Sequence, residues 1–232
     1  MATCATGGTA ATGLTENEVR ADGTQVISLT LTGDTWIASS SPYEDFTTFT
    51  EVDPGSTVSV AANTITVTQM QSRSTDTYVY KDYGAGYFDD FVHSVDTSAN
   101  YSDSSDFCLV WGLSDTVNDQ EQWNDGLVVY WFDYGTGFRL VIGEMVNTVL
   151  TNESYSGIIA DATTVYPKIT RTGTSYKLDI YSDAGRTSLI ETVGPITVDT
   201  QTYQYLYALS SKNSAGSGYL VDATISNLDL TP

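Results

Sequence analysis

Apolar and polar side chains alternate along much of this chain with a period of two, the mark of strands with one buried face. Residues 25–31, Gln-Val-Ile-Ser-Leu-Thr-Leu, alternate over most of their length, and the pattern is clearest at Tyr176-Lys177-Leu178-Asp179-Ile180-Tyr181. Residues 57–60 and 64–68 flank the turn Ala61-Ala62-Asn63 and predict a hairpin. Leu127-Val128-Val129-Tyr130-Trp131-Phe132 is apolar without interruption, as expected for a strand covered on both faces. In the next strand Phe138, Leu140 and Ile142 alternate with Arg139 and Val141. Further strands are predicted near 46–52, 77–80, 88–95, 107–113, 189–190, 203–209 and 219–230, with turns at Asp53-Pro54-Gly55-Ser56 and Ser182-Asp183-Ala184-Gly185. About a dozen short strands with turn signals and no helical periodicity predict a sandwich or barrel rather than a parallel α/β sheet. No regular internal repeat appears.

The pattern also divides the chain. Residues 1–13 are almost wholly Ala, Thr and Gly and predict a flexible arm. Residues 14–42 hold one alternating strand, a Gly33-Asp34 turn and the apolar pair Trp36-Ile37, ending in the small-residue linker Ala38-Ser39-Ser40-Ser41-Pro42. They predict a short β appendage, for docking or oligomerisation. Residues 43–232 form the main β domain. The first ten residues lack the basic and apolar regions of a secretory signal. No apolar stretch reaches the ~18 residues of a membrane-spanning helix, so the chain reads as soluble. Cys108 lies in the apolar run 107–111 and reads as a buried thiol, and Cys4 reads as exposed; a bridge between them stays open.

Composition supports a large core. Hydrophobic residues make up 41% of the 232 positions, and a chain of this size buries roughly 70% of its unfolded surface. Twenty-nine acidic residues oppose nine basic ones, a formal charge of −20. Such a surface repels nucleic acid and anionic lipid headgroups, which need cationic partners. Acidic loops leave divalent-cation binding open, calcium in particular.

Residues 43–54, Tyr-Glu-Asp-Phe-Thr-Thr-Phe-Thr-Glu-Val-Asp-Pro, resemble the opening of a concanavalin A-like (laminin-G-like) jelly-roll domain of the kind found in tailed-phage and marine viral structural proteins. The resemblance continues through residues 78–84, 107–113 with Trp111, 205–209 and the closing strand 225–230, so it covers roughly 43–232. Residues 14–36 are similar to short β modules of phage structural proteins. The resemblance implies two antiparallel sheets, one of them concave, used for glycan recognition or for decorating a virion. On that reading the protein is not an enzyme. It is a capsid decoration, head or tail-fibre component, assembled in the host cytoplasm and displayed on the virion surface. Its partners are capsid or tail proteins and itself, as a trimer or other homo-oligomer. A carbohydrate-binding module or lectin, with or without calcium, is the alternative; a glycan-cleaving enzyme is the third.

The chemistry to be found is sparse. A glucanase branch of the fold carries Glu-x-Asp-x-Glu on one strand, and no such triplet occurs; the nearest carboxylates, Glu51 with Asp53 and Glu144, lack the third. His93 is the only histidine and reads as a partly exposed strand residue on the face opposite Val92; no nucleophile-elbow motif accompanies it. One His and two distant Cys cannot form a zinc ligand set of usual spacing. Gly84-Ala85-Gly86 is followed by Tyr87-Phe88 rather than by a helix, so it is no phosphate loop. The loop 114–126 holds four carboxylates and two Asn side chains, as well as Trp123. Asp115, Asp119 and Asp125 are its candidate calcium ligands, against the alternative of a solvated acidic loop. A tryptophan in a polar loop predicts an exposed ring able to stack on a sugar or anchor a protein contact. Trp123, Tyr134 and Asp119 are therefore the candidate ligand-binding cluster.

Overall fold

A computed structural model of the chain describes residues 42–73, 76–100, 107–133, 137–212 and 219–231, and the strand backbone of 20–21, 25–26, 28–32, 35–39 and 101. The chain divides into two compact units, Met1–Pro42 and Tyr43–Pro232. In the first, β1 (Arg20–Ala21) pairs with β2 (Gln25–Val26), and β3 (Ser28–Thr32) pairs antiparallel with β4 (Thr35–Ser39), Leu31 opposite Trp36. The Ala/Thr/Gly arm at 1–13, Cys4 and Tyr134 lie outside the described residues.

The second unit contains β5 (Thr50–Val52), β6 (Val58–Ala61), β7 (Thr64–Gln71), β8 (Tyr78–Asp82), β9 (Phe91–Tyr101), β10 (Phe107–Ser114), β11 (Asp125–Asp133), β12 (Phe138–Val146), β13 (Val149–Tyr155), β14 (Tyr166–Thr172), β15 (Ser175–Tyr181), β16 (Leu189–Thr197), β17 (Tyr205–Ser210) and β18 (Leu220–Asp229). They form two seven-stranded antiparallel sheets, ordered β13-β12-β11-β10-β17-β8-β5 and β16-β15-β14-β9-β18-β7-β6. No helix among the described residues is long and apolar enough to cross a membrane.

Period-two alternation decides which side chains meet between the sheets. Leu127, Val129 and Trp131 of β11 join Leu140 and Ile142 of β12 and Leu206 of β17 against Tyr176, Leu178 and Ile180 of β15 and Ile65 and Val67 of β7. The interior is tied by hydrogen bonds as well. The Trp131 indole donates to Thr97 Oγ1 at 3.0 Å, and the Tyr176 hydroxyl donates across the sandwich to the Val128 carbonyl at 3.0 Å. Where the alternation slips, a bulge resets it. Gln69 takes a left-handed φ of 52°, its amide donates to Asp222 Oδ1 at 2.7 Å, and Met70 becomes the inward residue after Val67.

His93 departs from the expected exposed position. It shares a strand face with Phe91 and Val95, so it points inward and is 2% exposed. Its ring stacks on Phe91 at 4.6 Å and meets Trp111 of the opposite sheet edge-on at 5.6 Å. Burial holds its pKa down at about 3, so the imidazole is neutral. Cys108 is buried in the same interior, as the apolar run predicted.

Candidate functional site

The first sheet is apolar on both faces, and one of them, the outer face, lies away from the second seven-stranded sheet. Phe107 and Leu109 of β10, Val128 and Tyr130 of β11, Val141 and Met145 of β12 and Tyr207 of β17 form a separate cluster there. Tyr78 and Tyr80 of β8, Tyr205 and Phe132 flank it. This is why residues 127–132 read as one continuous apolar run: alternate members serve two different interiors.

Part of this face is covered by the β10–β11 loop, and the covering residue is Trp123. The sequence predicted an exposed ring, but Trp123 is 0% exposed. It lies 4.5 Å from the Tyr207 ring, and its indole N–H donates to the Asn118 carbonyl at 3.0 Å. Two glycines make room for it. A Cβ on Gly112 would stand 2.7 Å from the indole, and one on Gly126 would stand 2.7 Å from the indole and 2.6 Å from the Leu113 carbonyl. Glycines inside strands signal such close approach, and they were the clue to a buried tryptophan.

The polar residues of the loop hold it down. The Tyr207 hydroxyl accepts from Asn118 N at 3.0 Å and donates to the Thr116 carbonyl at 3.1 Å; Gln120 N donates to Ser210 Oγ at 3.2 Å. Asp119 is buried and caps the 3-10 turn Gln120–Gln122, accepting from Glu121 N at 2.9 Å and Gln122 Nε2 at 2.6 Å. Burial pushes its pKa up to about 6, aided by the charges of Asp76 and Glu121 and opposed by those two hydrogen bonds.

The candidate calcium ligands do not converge. Asp119 is spent on the cap, Asp115 Oδ1 accepts from Asp125 N at 3.2 Å, and Asp125 Oδ2 accepts from Asn124 Nδ2 at 2.6 Å. Among the described residues no group of three or more His, Cys, Asp or Glu side chains could hold a metal ion. The donors present do not fit a calcium site, which requires six to eight oxygens around one point. The predicted cluster of Trp123 and Asp119 is thus a structural plug rather than a ligand platform.

Beside the plug the outer face stays open as a cleft of about 320 Å³. Phe107 and Tyr130, both buried, lie beneath it with Phe132, and Tyr155 of β13, 38% exposed, forms a wall. The Phe107 and Tyr130 rings lie 4.6 Å apart, and Phe132 meets Tyr130 edge-on at 6.4 Å. Glu153 is the one carboxylate among the described lining residues. It is gripped from both sides: the Tyr130 hydroxyl donates to Oε1 and the Tyr155 hydroxyl to Oε2, the latter at 2.8 Å. Arg73 and Lys212 stand at the rim. Lys212 Nζ pairs with Glu121 Oε1 at 3.1 Å, which also ties the plug loop to the cleft. Glu153 and Tyr155 escaped the sequence reading because β13 alternates weakly and occupies a sheet edge. The other carboxylates weighed for catalysis are far apart in the sheet. Glu144 of β12 is buried, accepting from Asp199 N at 2.6 Å and Asn152 Nδ2 at 3.1 Å, whereas Glu51 is exposed on β5 at the opposite edge.

No family model matches the chain, and no curated protein matches its sequence. Solved structures do match its fold. A functionally unknown protein from Saccharomyces cerevisiae aligns with a TM-score of 0.56 at 14% identity, covering 81% of this chain and 97% of that one. The exoplasmic/lumenal domain of VIP36 in its Ca2+/Man-bound form aligns at 0.50 and 10% identity, covering 80% and 87%. A beta-glucanase from Bacillus licheniformis aligns at 0.50 and 12% identity, covering 80% and 94%. Together with the two seven-stranded sheets these likenesses define the fold class, an all-β jelly-roll sandwich. Within that class the chain has the concanavalin A-like fold of lectins and glycosidases.

Proposed function

We propose that this protein is a non-catalytic carbohydrate-recognition module whose ligand lies in the open cleft on the outer face of the first sheet. The carrying observation is the juxtaposition of Phe132 and Tyr155 with a carboxylate already oriented by two tyrosine hydroxyls. Aromatic faces stack on the C–H faces of sugar rings, and an oriented carboxylate accepts hydrogen bonds from sugar hydroxyls. Carbohydrate is also what the Man-bound VIP36 structure holds. Hydrolysis by a carboxylate pair would need a second acid within ~5–9.5 Å of the first, and the described lining supplies only Glu153. Recognition without cleavage is the reading this supports.

A glycan array followed by calorimetry tests it. Tyr155→Ala and Phe132→Ala should each weaken binding at least about tenfold, the loss of one stacking contact. Removing calcium with a chelator should leave affinity unchanged, because the loop carboxylates are spent on protein donors. Silence across acidic, neutral and host-surface glycans would overturn the proposal, and release of reducing sugar would overturn its non-catalytic part. Display on a virion as a homo-oligomer, the setting implied by the sequence resemblance, is a separate proposal. It predicts a trimer or other closed oligomer in light scattering; a strict monomer without affinity for capsid or tail proteins would remove it.

A further inference from the structure

The open cleft differs from the chain as a whole in the balance of its charge. The chain carries 29 acidic residues against nine basic ones, whereas the described lining of the cleft holds Arg73 and Lys212 against Glu153 alone. The two cations are brought together by the backbone. Lys212 N donates to the Ser72 carbonyl at 2.8 Å, which joins the segment after β17 to the segment after β7. Each cation also rests on an aromatic ring: Lys212 Nζ lies 6.0 Å from the Phe107 centroid, and the Arg73 guanidinium 5.5 Å from that of Tyr219. The one carboxylate is partly satisfied from within the protein. Its two oxygens accept the hydroxyls of Tyr130 and Tyr155, which disperses its charge and still leaves a lone pair on each oxygen for a sugar hydroxyl. Exposed charges more than about 8 Å away are largely screened at physiological ionic strength. The lining, rather than the net charge of −20, therefore decides which ligand the cleft takes.

A carboxylate of the protein itself marks where an anion sits. Glu121 Oε1 lies 3.1 Å from Lys212 Nζ, and the two side chains are 34% and 26% exposed. An ion pair this open to water contributes little, so an incoming carboxylate replaces Glu121 on the same ammonium at small cost. We infer that the cleft selects an acidic sugar, a uronate whose carboxylate displaces Glu121 from Lys212 beside Arg73 while its ring stacks on Tyr155. A planar carboxylate also matches the two parallel N–H donors of an arginine fork. The inference rests on the carbohydrate-recognition reading of this cleft and adds the class of sugar. It couples the cleft to the plug as well, because Glu121 belongs to the 3-10 turn that Asp119 caps.

Calorimetry on the full-length chain tests this with oligomers of galacturonate, glucuronate and mannuronate, each beside its methyl ester, which keeps the ring and removes the charge. At least one free acid should bind about tenfold more tightly than its ester, the gain of a charged hydrogen bond. Lys212→Met should cut that ratio at least about threefold. Glu121→Gln should act in the opposite direction and raise affinity for the acid by up to about fivefold, because the competing carboxylate is gone. A merely structural role for the ion pair would make both variants weaken binding. Esters or neutral glycans that bind as tightly as the acids, with binding lost in Tyr155→Ala, would overturn the acidic selection and leave carbohydrate recognition standing. An acid preference that survives Lys212→Met, or an affinity that Glu121→Gln fails to raise, would overturn the displacement of Glu121. Silence of acids, esters and neutral glycans alike would remove both readings.

Discussion

The two faces of the first sheet use nearly the same residue types and solve the same problem differently. The inner face, with Trp111, Leu127, Val129 and Trp131, is closed by a whole second sheet. The outer face, with Phe107, Val128, Tyr130 and Tyr207, is as deeply buried, but beneath a loop with its indole and the side chains beside it. Sheet-on-sheet closure buries every alternate residue and leaves no opening along the interface. Closure by a loop covers a patch the size of its side chains, and beside it a cleft bordered by Phe132 and Tyr155 stays accessible. The same hydrophobic pattern therefore yields an interior closed by a sheet on one side and one closed by a loop beside an open cleft on the other, and the difference lies in what covers it.

Substitutions that remove the covering groups test this contrast most directly. Trp131→Ala, on the inner face, should cost about 3–5 kcal/mol, visible as a single cooperative shift in a denaturant melt. Trp123→Ala deletes a side chain of the same size, but only the loop answers to it. The expectation is amide-exchange loss concentrated in residues 115–125, with the two sheets still protected. Equal global loss for both variants would break the distinction. Gly126→Ala should be next, at about 1–3 kcal/mol, because its Cβ would meet both the indole and a backbone carbonyl. Gly143→Ala meets the flexible Leu150 side chain at 2.8 Å and should cost less.

The interior between the sheets and the loop over the outer face should also respond oppositely to pH. His93, on the inner side, titrates near 3 when folded and near 6.5 when unfolded. Below pH 6.5 the unfolded chain binds the extra proton, so this contribution to stability fades as pH falls from 6.5 toward 3. Asp119, under the outer-face loop, has its folded value raised to about 6 from 3.8. Its protonated form suits the fold, so its contribution is full below pH 3.8 and is lost as pH rises through 6. Asp119→Asn keeps an N-cap acceptor and should make exchange in the loop less sensitive to pH between 4 and 7; an unchanged pH profile would sink this assignment. The smallest effect belongs to Lys212→Met, which breaks a partly exposed ion pair with Glu121. It should cost no more than about 1 kcal/mol, and less at high salt.

Much of the fold was legible in the sequence because strand alternation is a local property. The continuous run 127–132 announced two covered faces, the alternation at 176–181 placed Tyr176, Leu178 and Ile180 inward, and Cys108 read correctly as buried. The misreadings share one cause. The polar loop around Trp123 suggests exposure, but its burial depends on Gly112 and Gly126 in neighbouring strands and on Tyr207, more than eighty residues later in the chain. The polar side chain of His93 suggests exposure, whereas the register of β9 packs it on Phe91 and Trp111. Asp115, Asp119 and Asp125 resemble a cation cradle by proximity along the chain, and neighbouring backbone and side-chain donors of the loop claim them instead.

What the sequence by itself determined is the strand content, the inward and outward parity of most strands, and the acidic surface, since each follows from residue type and period two. Tertiary structure alone decided which apolar face stays open and which polar groups are consumed by the fold. Those outcomes depend on partners distant in the chain, as when Glu153 of an edge strand meets the hydroxyl of Tyr130 two strands away, and no local pattern encodes such a meeting.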